Sequence, residues 1–83
     1  MDVEFDPDKD EANIAKHGVS LAEAVNLDVV TFFPDNRFEE PRFRVYGRLY
    51  GEVYGLAFTL SGLRVRAISL RRSRAKEYRR YGL

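Results

Sequence analysis

The chain contains no cysteine, which excludes disulfide staples and thiolate metal sites. It has a single histidine, His17, which argues against a zinc site as well. A core this small, without either kind of staple, is expected to draw part of its stability from a partner. Long apolar runs are also missing. The longest, such as "GLAFTL", fall far short of the roughly 20 residues that a membrane-spanning helix needs. The opening "MDVEFDPDKDE" is acidic and unlike a signal peptide, so a cytoplasmic location is expected. There are no internal repeats and no low-complexity linker. At 83 residues there is room for one domain, spanning 1–83. A content of 45% apolar and 33% charged residues is that of a folded globule and too hydrophobic for a disordered chain.

Charge of either sign is plentiful but unevenly placed. The net charge is only +1, yet residues 62–83, "GLRVRAISLRRSRAKEYRRYGL", hold seven Arg and one Lys against a single Glu. They carry about +7 and leave about −6 for residues 1–61. Such an arginine field attracts polyanions, and the planar guanidinium donates two hydrogen bonds at once to a phosphate. Nucleic acid is therefore the first partner to consider, with a solvated basic helix or a surface for an acidic protein as the alternative.

Local signals divide the chain into elements. "DVEFD" reads as a short strand with Val3 and Phe5 on one face. Asp6 is a good N-cap, Pro7 suits the first helical position, and Asp8, Asp10 and Glu11 complement the helix dipole. Gly18 can close that helix in the left-handed conformation, with Lys16 and His17 in its last turn, so the pattern predicts a helix over 7–17. Ser20 and Glu23 form a capping box before Leu21, Ala24 and Val25, predicting a second helix over 20–27. "VVTFFPDNRFEEP" is an extended stretch running into a loop.

Beyond it the period changes to two. In "RFRVYGRLY", Phe43, Val45 and Leu49 alternate with Arg42, Arg44, Tyr46, Arg48 and Tyr50. "GEV" turns into the nearly continuous apolar run "VYGLAFTL", and "SG" turns again into "LRVRAISL". That last strand starts with Leu63 and Val65 inward and Arg64 and Arg66 outward. Ile68 and Leu70 then share the parity of the arginines, so either a bulge intervenes or both faces are covered. Ser73 can cap a final helix over 73–81. The predicted architecture is α+β: strand, two helices, three-stranded antiparallel meander, C-terminal helix. Helices on one side would leave a face of arginines and tyrosines, suited to stacking and binding single-stranded RNA or simply solubilising the sheet.

Three stretches in this order resemble the BrnT-type toxins of type II toxin–antitoxin systems. "FDPDKDEANIAKHGVSLAEA" is similar to that family's aromatic-Asp pair, helix ending in Asn-x-x-Lys-His-Gly-Val, and following Ala-rich helix. "RFRVYG" resembles its Arg-Phe-x-x-x-Gly strand, and "RAISLRRSRAKEYRRY" its Ile-Ser-x-Arg strand end and Lys-Glu helix. The resemblance implies a RelE-like fold and a metal-independent endoribonuclease that cleaves RNA and arrests translation. It also implies neutralisation by a BrnA-type antitoxin with a ribbon-helix-helix domain, in a complex that binds operator DNA and can contain a homodimer of the toxin. Two positions depart from the family pattern. Phe5 stands where Trp is frequent, and Pro41 stands where a Glu often precedes the strand arginine, leaving Glu39 and Glu40 as the nearby carboxylates.

Metal-free RNA cleavage by a 2′-hydroxyl needs a base, an acid and cations around the phosphorane. No cofactor is expected. Arg64 and Arg71 are the first candidates for the cationic role, with Arg42, Arg66 and Arg72 as further RNA-binding arginines. His17 suits proton transfer near neutrality, and Lys16, Glu40, Glu77 and Tyr81 stand behind it. Glu77 has catalysis as its candidate role, while Lys16 and Tyr81 are assigned to RNA binding. The competing explanations are local ones: a helix terminus for Lys16 and His17, and a helical surface pair of Glu77 with Arg80 or Tyr81. If catalysis is absent, the same basic surface is a binding module for nucleic acid or an acidic protein.

Overall fold

A computed structural model describes residues 2–35, 39 and 41–80. The chain runs through strand β1 (Val3–Glu4), helix α1 (Pro7–His17), a 3₁₀ helix (Leu21–Asn26) and strands β2 (Asp28–Asp35), β3 (Arg42–Leu49), β4 (Glu52–Ser61) and β5 (Arg64–Arg72), and then helix α2 (Ala75–Arg80). The strands form one mixed sheet in the order β1-β5-β4-β3-β2. β1 pairs with β5 in parallel, and the other pairs are antiparallel. The extended stretch after the second helix is thus a full strand, and the meander has four strands rather than three.

α1 has the bounds that its caps dictate. The Asp6 carboxylate accepts from the Asp8 N–H at 2.8 Å, and Gly18, at φ 73°, donates its N–H to the Ile14 carbonyl at 2.8 Å. The second helical segment is shorter and tighter than expected, with a 3₁₀ closure from the Leu27 N–H to the Ala24 carbonyl. Its cap also differs. Ser20 Oγ accepts from the Ala22 N–H, but Glu23 does not reach back to complete a capping box. Asp10 of α1 does so instead, accepting from the Leu21 N–H at 2.6 Å and from Ser20 Oγ at 2.9 Å.

α1 and the 3₁₀ helix cover one face of the sheet. Leu21, Ala24, Val45, Leu49, Leu56, Phe58, Val65, Ala67 and Leu70 form the core there, with Val3 and Phe5 packed against it. Leu63 does not join them. It is fully exposed in the Gly62–Leu63 turn. Between Ala57 and Phe58 of β4 the partner residues on β5 jump from Ser69 to Ala67, so Ile68 is bulged out. The bulge reverses the parity and turns Leu70 into the core.

Tyr50 and Gly51, at φ 52° and 82°, form the two-residue turn between β3 and β4. Tyr50 therefore leaves the strand face on which alternation placed it, and its hydroxyl bonds to Glu23 of the 3₁₀ helix. A second bulge at Val30 brings β2 close to β3, where a Cβ on Gly47 would lie 2.3 Å from the Asp28 carbonyl oxygen. Only glycine fits there.

Candidate functional site: a basic cleft

The site begins with one buried polar residue. Asn13, 6% exposed, is the buried polar side chain among the described residues. Its Nδ2 donates to the carbonyls of Val19 at 2.8 Å and Leu70 at 2.9 Å, and its Oδ1 accepts from the Leu70 N–H at 3.2 Å. One side-chain amide thus fastens α1 and the chain just after it to β5. Three to four residues beyond Asn13 come Lys16 and His17, and one beyond Leu70 comes Arg71. The clamp therefore sets the end of the helix against the end of the strand.

An open hollow of about 770 Å³ lies between them, lined by Lys16, His17, Arg71, Arg72, Arg74, Lys76 and Glu77. Arg71 and Glu77 form its most ordered contact. Arg71 Nη1 donates to Glu77 Oε1 at 3.0 Å and Nη2 to Oε2 at 2.9 Å, a two-pronged pair. Glu77 Oε1 also accepts from the Arg74 N–H at 3.1 Å, and Oε2 from the Tyr46 hydroxyl at 3.0 Å. Arg71 Nη1 spends its other hydrogen on the Arg72 carbonyl at 3.3 Å. Its Nε–H and second Nη2–H have no partner among the described residues, and this edge of the guanidinium can still receive two anionic oxygens.

The electrostatics assign different chemistry to Glu77 and His17, two of the groups considered for proton transfer. Hydrogen bonding from Arg71 holds Glu77 down at about pKa 2, against the cost of its burial, with Arg74 and Tyr46 adding to the effect. Glu77 is therefore an orienting carboxylate, neither a proton donor nor an effective base near neutrality. His17 is half-buried, and its pKa is lowered by that burial and by the charges of Lys16 and Arg71. The shift favours the neutral ring, which keeps a nitrogen lone pair available.

Lys16, His17, Arg71, Arg72 and Glu77 thus come together as candidates around one cleft. Arg64 does not. It begins the strand that Arg71 nearly ends, and seven residues of β-strand separate them by about 20 Å. Arg64 and Arg66 instead lie at 3.8 and 3.6 Å from the Glu4 carboxylate on β1, so of the two first candidates for the cationic role only Arg71 is at the cleft. Arg42 is on the sheet face opposite the core and lines a neighbouring hollow that also reaches Arg71. Glu40 and Tyr81 lie outside the described residues. Glu77 is engaged across the fold, by Arg71 and Tyr46. Sequence reasoning passed over Asn13, Arg74 and Lys76, and it put Tyr46 on an outward face where the structure leaves it only 2% exposed; the only hint of Asn13 is its place in "NIAKHGV", since its partner is 57 residues away.

Among the described residues no group of three or more His, Cys, Asp or Glu is placed to hold a metal ion, and no helix is long and apolar enough to cross a membrane. Fold and cleft define a small α+β protein whose exposed cationic site, five Lys and Arg around one histidine, is suited to a phosphate-bearing polyanion. Residues 5–77 match the family described as the ribonuclease toxin BrnT of type II toxin–antitoxin systems, and the chain belongs to that family. Its fold is similar to the crystal structure of the Brucella abortus ribonuclease toxin BrnT, with a TM-score of 0.65 at 23% identity over 89% of this chain and 97% of that one. Comparison with curated protein sequences gives no match.

Proposed function

We propose that this chain is a metal-independent endoribonuclease toxin, RelE-like in the order of its elements, that cleaves RNA and arrests translation in the cytoplasm until a cognate antitoxin neutralises it. The observation that carries this reading is the lining of one cationic cleft by a histidine and an arginine already oriented by a carboxylate. In the reaction, the ribose 2′-oxygen bonds to the adjacent phosphorus while the bond from phosphorus to the 5′-oxygen breaks. The products are a 2′,3′-cyclic phosphate and a 5′-hydroxyl.

His17 takes the 2′-hydroxyl proton, the Lys16 ammonium supplies a proton to the departing 5′-oxygen, and the open edge of Arg71 holds the extra charge of the phosphorane. Arg72 and Arg74 attract the flanking phosphates. Glu77, itself held by the Tyr46 hydroxyl, orients Arg71 without contacting RNA. The antitoxin is of the BrnA type with a ribbon-helix-helix domain, and the complex, holding two copies of the toxin, binds operator DNA.

Induced expression tests the enzymatic claim. Growth arrest, with RNA cleaved by the purified protein in EDTA, is expected for the wild type and lost in Arg71→Ala. Folded wild-type protein that binds RNA in a salt-dependent way and leaves it uncut would make this a binding module instead. Co-purification with a small ribbon-helix-helix protein encoded beside it tests the partner.

A further inference from the structure

The sheet face opposite the core carries a second hollow, of about 160 Å³, that the proton transfers above do not use. Its shape follows from strand register. Arg44, Ala57 and Ser69 stand abreast in one row of that face, and Tyr46, Gly55 and Arg71 in the next. Three small residues, Gly55, Ala57 and Ser69, therefore floor a depression walled by Arg44, Tyr46 and Arg71. A Cβ at Gly55 would sit 2.9 Å from Tyr46 Cε1, so the floor is already at its limit under the tyrosine ring.

Each wall is held in place. Arg44 Nε donates to Asp35 Oδ2 at 3.1 Å, and the Asp35 side chain is only 8% exposed. The Tyr46 ring stacks on Phe33 with centroids 6.0 Å apart, and its hydroxyl is bonded to Glu77. Arg71 is fixed by the same Glu77. Cavities of about 150 Å³ hold a single benzene-sized ring. RNA-binding proteins take up unstacked bases on aromatic rings and guanidinium planes and read their edges with hydrogen bonds. Arg71 lines both hollows, so one end of the depression opens beside the proposed phosphate position.

We propose that this hollow is a base-binding subsite, taking one unstacked nucleobase of the RNA strand whose adjacent phosphate rests on Arg71. The identity of the ligand rests on the ribonuclease reading. The Arg44 guanidinium flanks the base, the edge of the Tyr46 ring, only 2% exposed, closes the end of the hollow, and the Ser69 hydroxyl on the floor meets the base edge. Occupation of the hollow then decides which phosphodiester lies against His17, making Ala57 and Ser69 determinants of where the strand is cut.

Amide NMR titration of the full chain with the four ribonucleoside 5′-monophosphates and with ribose 5-phosphate separates base from phosphate. The best nucleotide is expected to bind about 10-fold tighter than ribose 5-phosphate, shifting the amides of Ala57 and Ser69. Ala57→Leu and Ser69→Leu, which fill the hollow, are expected to erase that difference and leave ribose 5-phosphate binding unchanged. Ribose 5-phosphate binding as tightly as every nucleotide, absence of any nucleotide binding, or undiminished nucleotide binding in a folded Ala57→Leu or Ser69→Leu protein would each overturn the proposal. The wild-type comparison decides it even where a variant does not fold. A base-dependent difference in a protein that leaves RNA uncut counts against the ribonuclease reading alone; cleavage with no such difference counts against the subsite alone.

Discussion

The side-chain amide of Asn13 and the peptide groups of Leu70 exchange two hydrogen bonds, at 2.9 and 3.2 Å, as a neighbouring strand would. This contact joins residues 57 apart and places the helix end bearing His17 beside the strand end bearing Arg71. Asn13→Ala would leave the buried N–H and carbonyl of Leu70 and the part-buried carbonyl of Val19 without their side-chain partner, a loss of about 2 kcal/mol. In a domain of this size that lowers Tm by about 10 °C. RNA cleavage assayed well below the lowered Tm is expected to fall further than the unfolded fraction explains, because the His17-to-Arg71 spacing is released. Cleavage that tracks only the folded fraction would show that the clamp serves stability alone.

Having one histidine makes His17 directly observable, since its ring signals need no assignment. Burial, Lys16 and Arg71 all lower its pKa below 6.5. Removing either cation is therefore expected to raise it, so Lys16→Ala and Arg71→Ala should each move the titration midpoint upward toward the ordinary histidine value. The acid limb of the cleavage rate in the wild type should lie below pH 6.5 and disappear in His17→Ala. A limb that persists in His17→Ala assigns the base elsewhere.

Glu77 gives the fold a defined acid sensitivity. Its pKa falls from 4.5 to about 2 in the folded chain, so the unfolded chain binds its proton first. The stabilisation it contributes is complete above pH 4.5 and is lost progressively as pH falls toward 2. Glu77→Gln is expected to be less stable than wild type at pH 7, with the gap between the two closing across that window in thermal melts. A gap independent of pH would mean that the Arg71–Glu77 pair does not exist in solution.

Local chemistry was legible and long-range chemistry was not. The bounds of α1 follow from Asp6, Pro7 and Gly18, all of which act within one turn of helix. The parity break at Ile68 is visible as a conflict between arginines and apolar residues, but only pairing with β4 shows that it is a bulge. β2 reads as a loop approach because Pro34, Asp35 and Asn36 break the pattern, yet as an edge strand it tolerates a proline. For the cleft, arginine abundance could not separate Arg71 from Arg64, since their neighbours come from different strands and helices. The role of Glu77 was likewise hidden. Arg71 and Glu77 are six residues apart across a break between strand and helix, and no periodicity brings them together.

Gly47 is a position where added bulk meets backbone rather than a movable side chain. Gly47→Ala places its methyl 2.3 Å from the Asp28 carbonyl oxygen, so β2 must move away from β3. The expected cost is about 3 kcal/mol, read as a lower Tm with faster amide exchange along Val29–Phe33. Unchanged exchange on β2 would place the strain elsewhere.

The two ends of β5 offer a matched comparison. Arg71 is fixed in a two-pronged pair and faces the cleft, whereas Arg64 pairs loosely with Glu4 about 20 Å away. Arg71→Ala removes the group that receives phosphorane charge and is expected to reduce the cleavage rate about 10²- to 10³-fold. Arg71→Lys should recover little, because a single ammonium cannot grip Glu77 on one edge and present two parallel donors on another. Arg64→Ala leaves the cleft intact, and its rate should stay within about threefold of wild type, with only a shallower salt dependence of RNA binding. Equal losses in Arg64→Ala and Arg71→Ala, measured on folded proteins at one salt concentration, would refute a cleft centred on Arg71, because charge summed along the strand would then explain both.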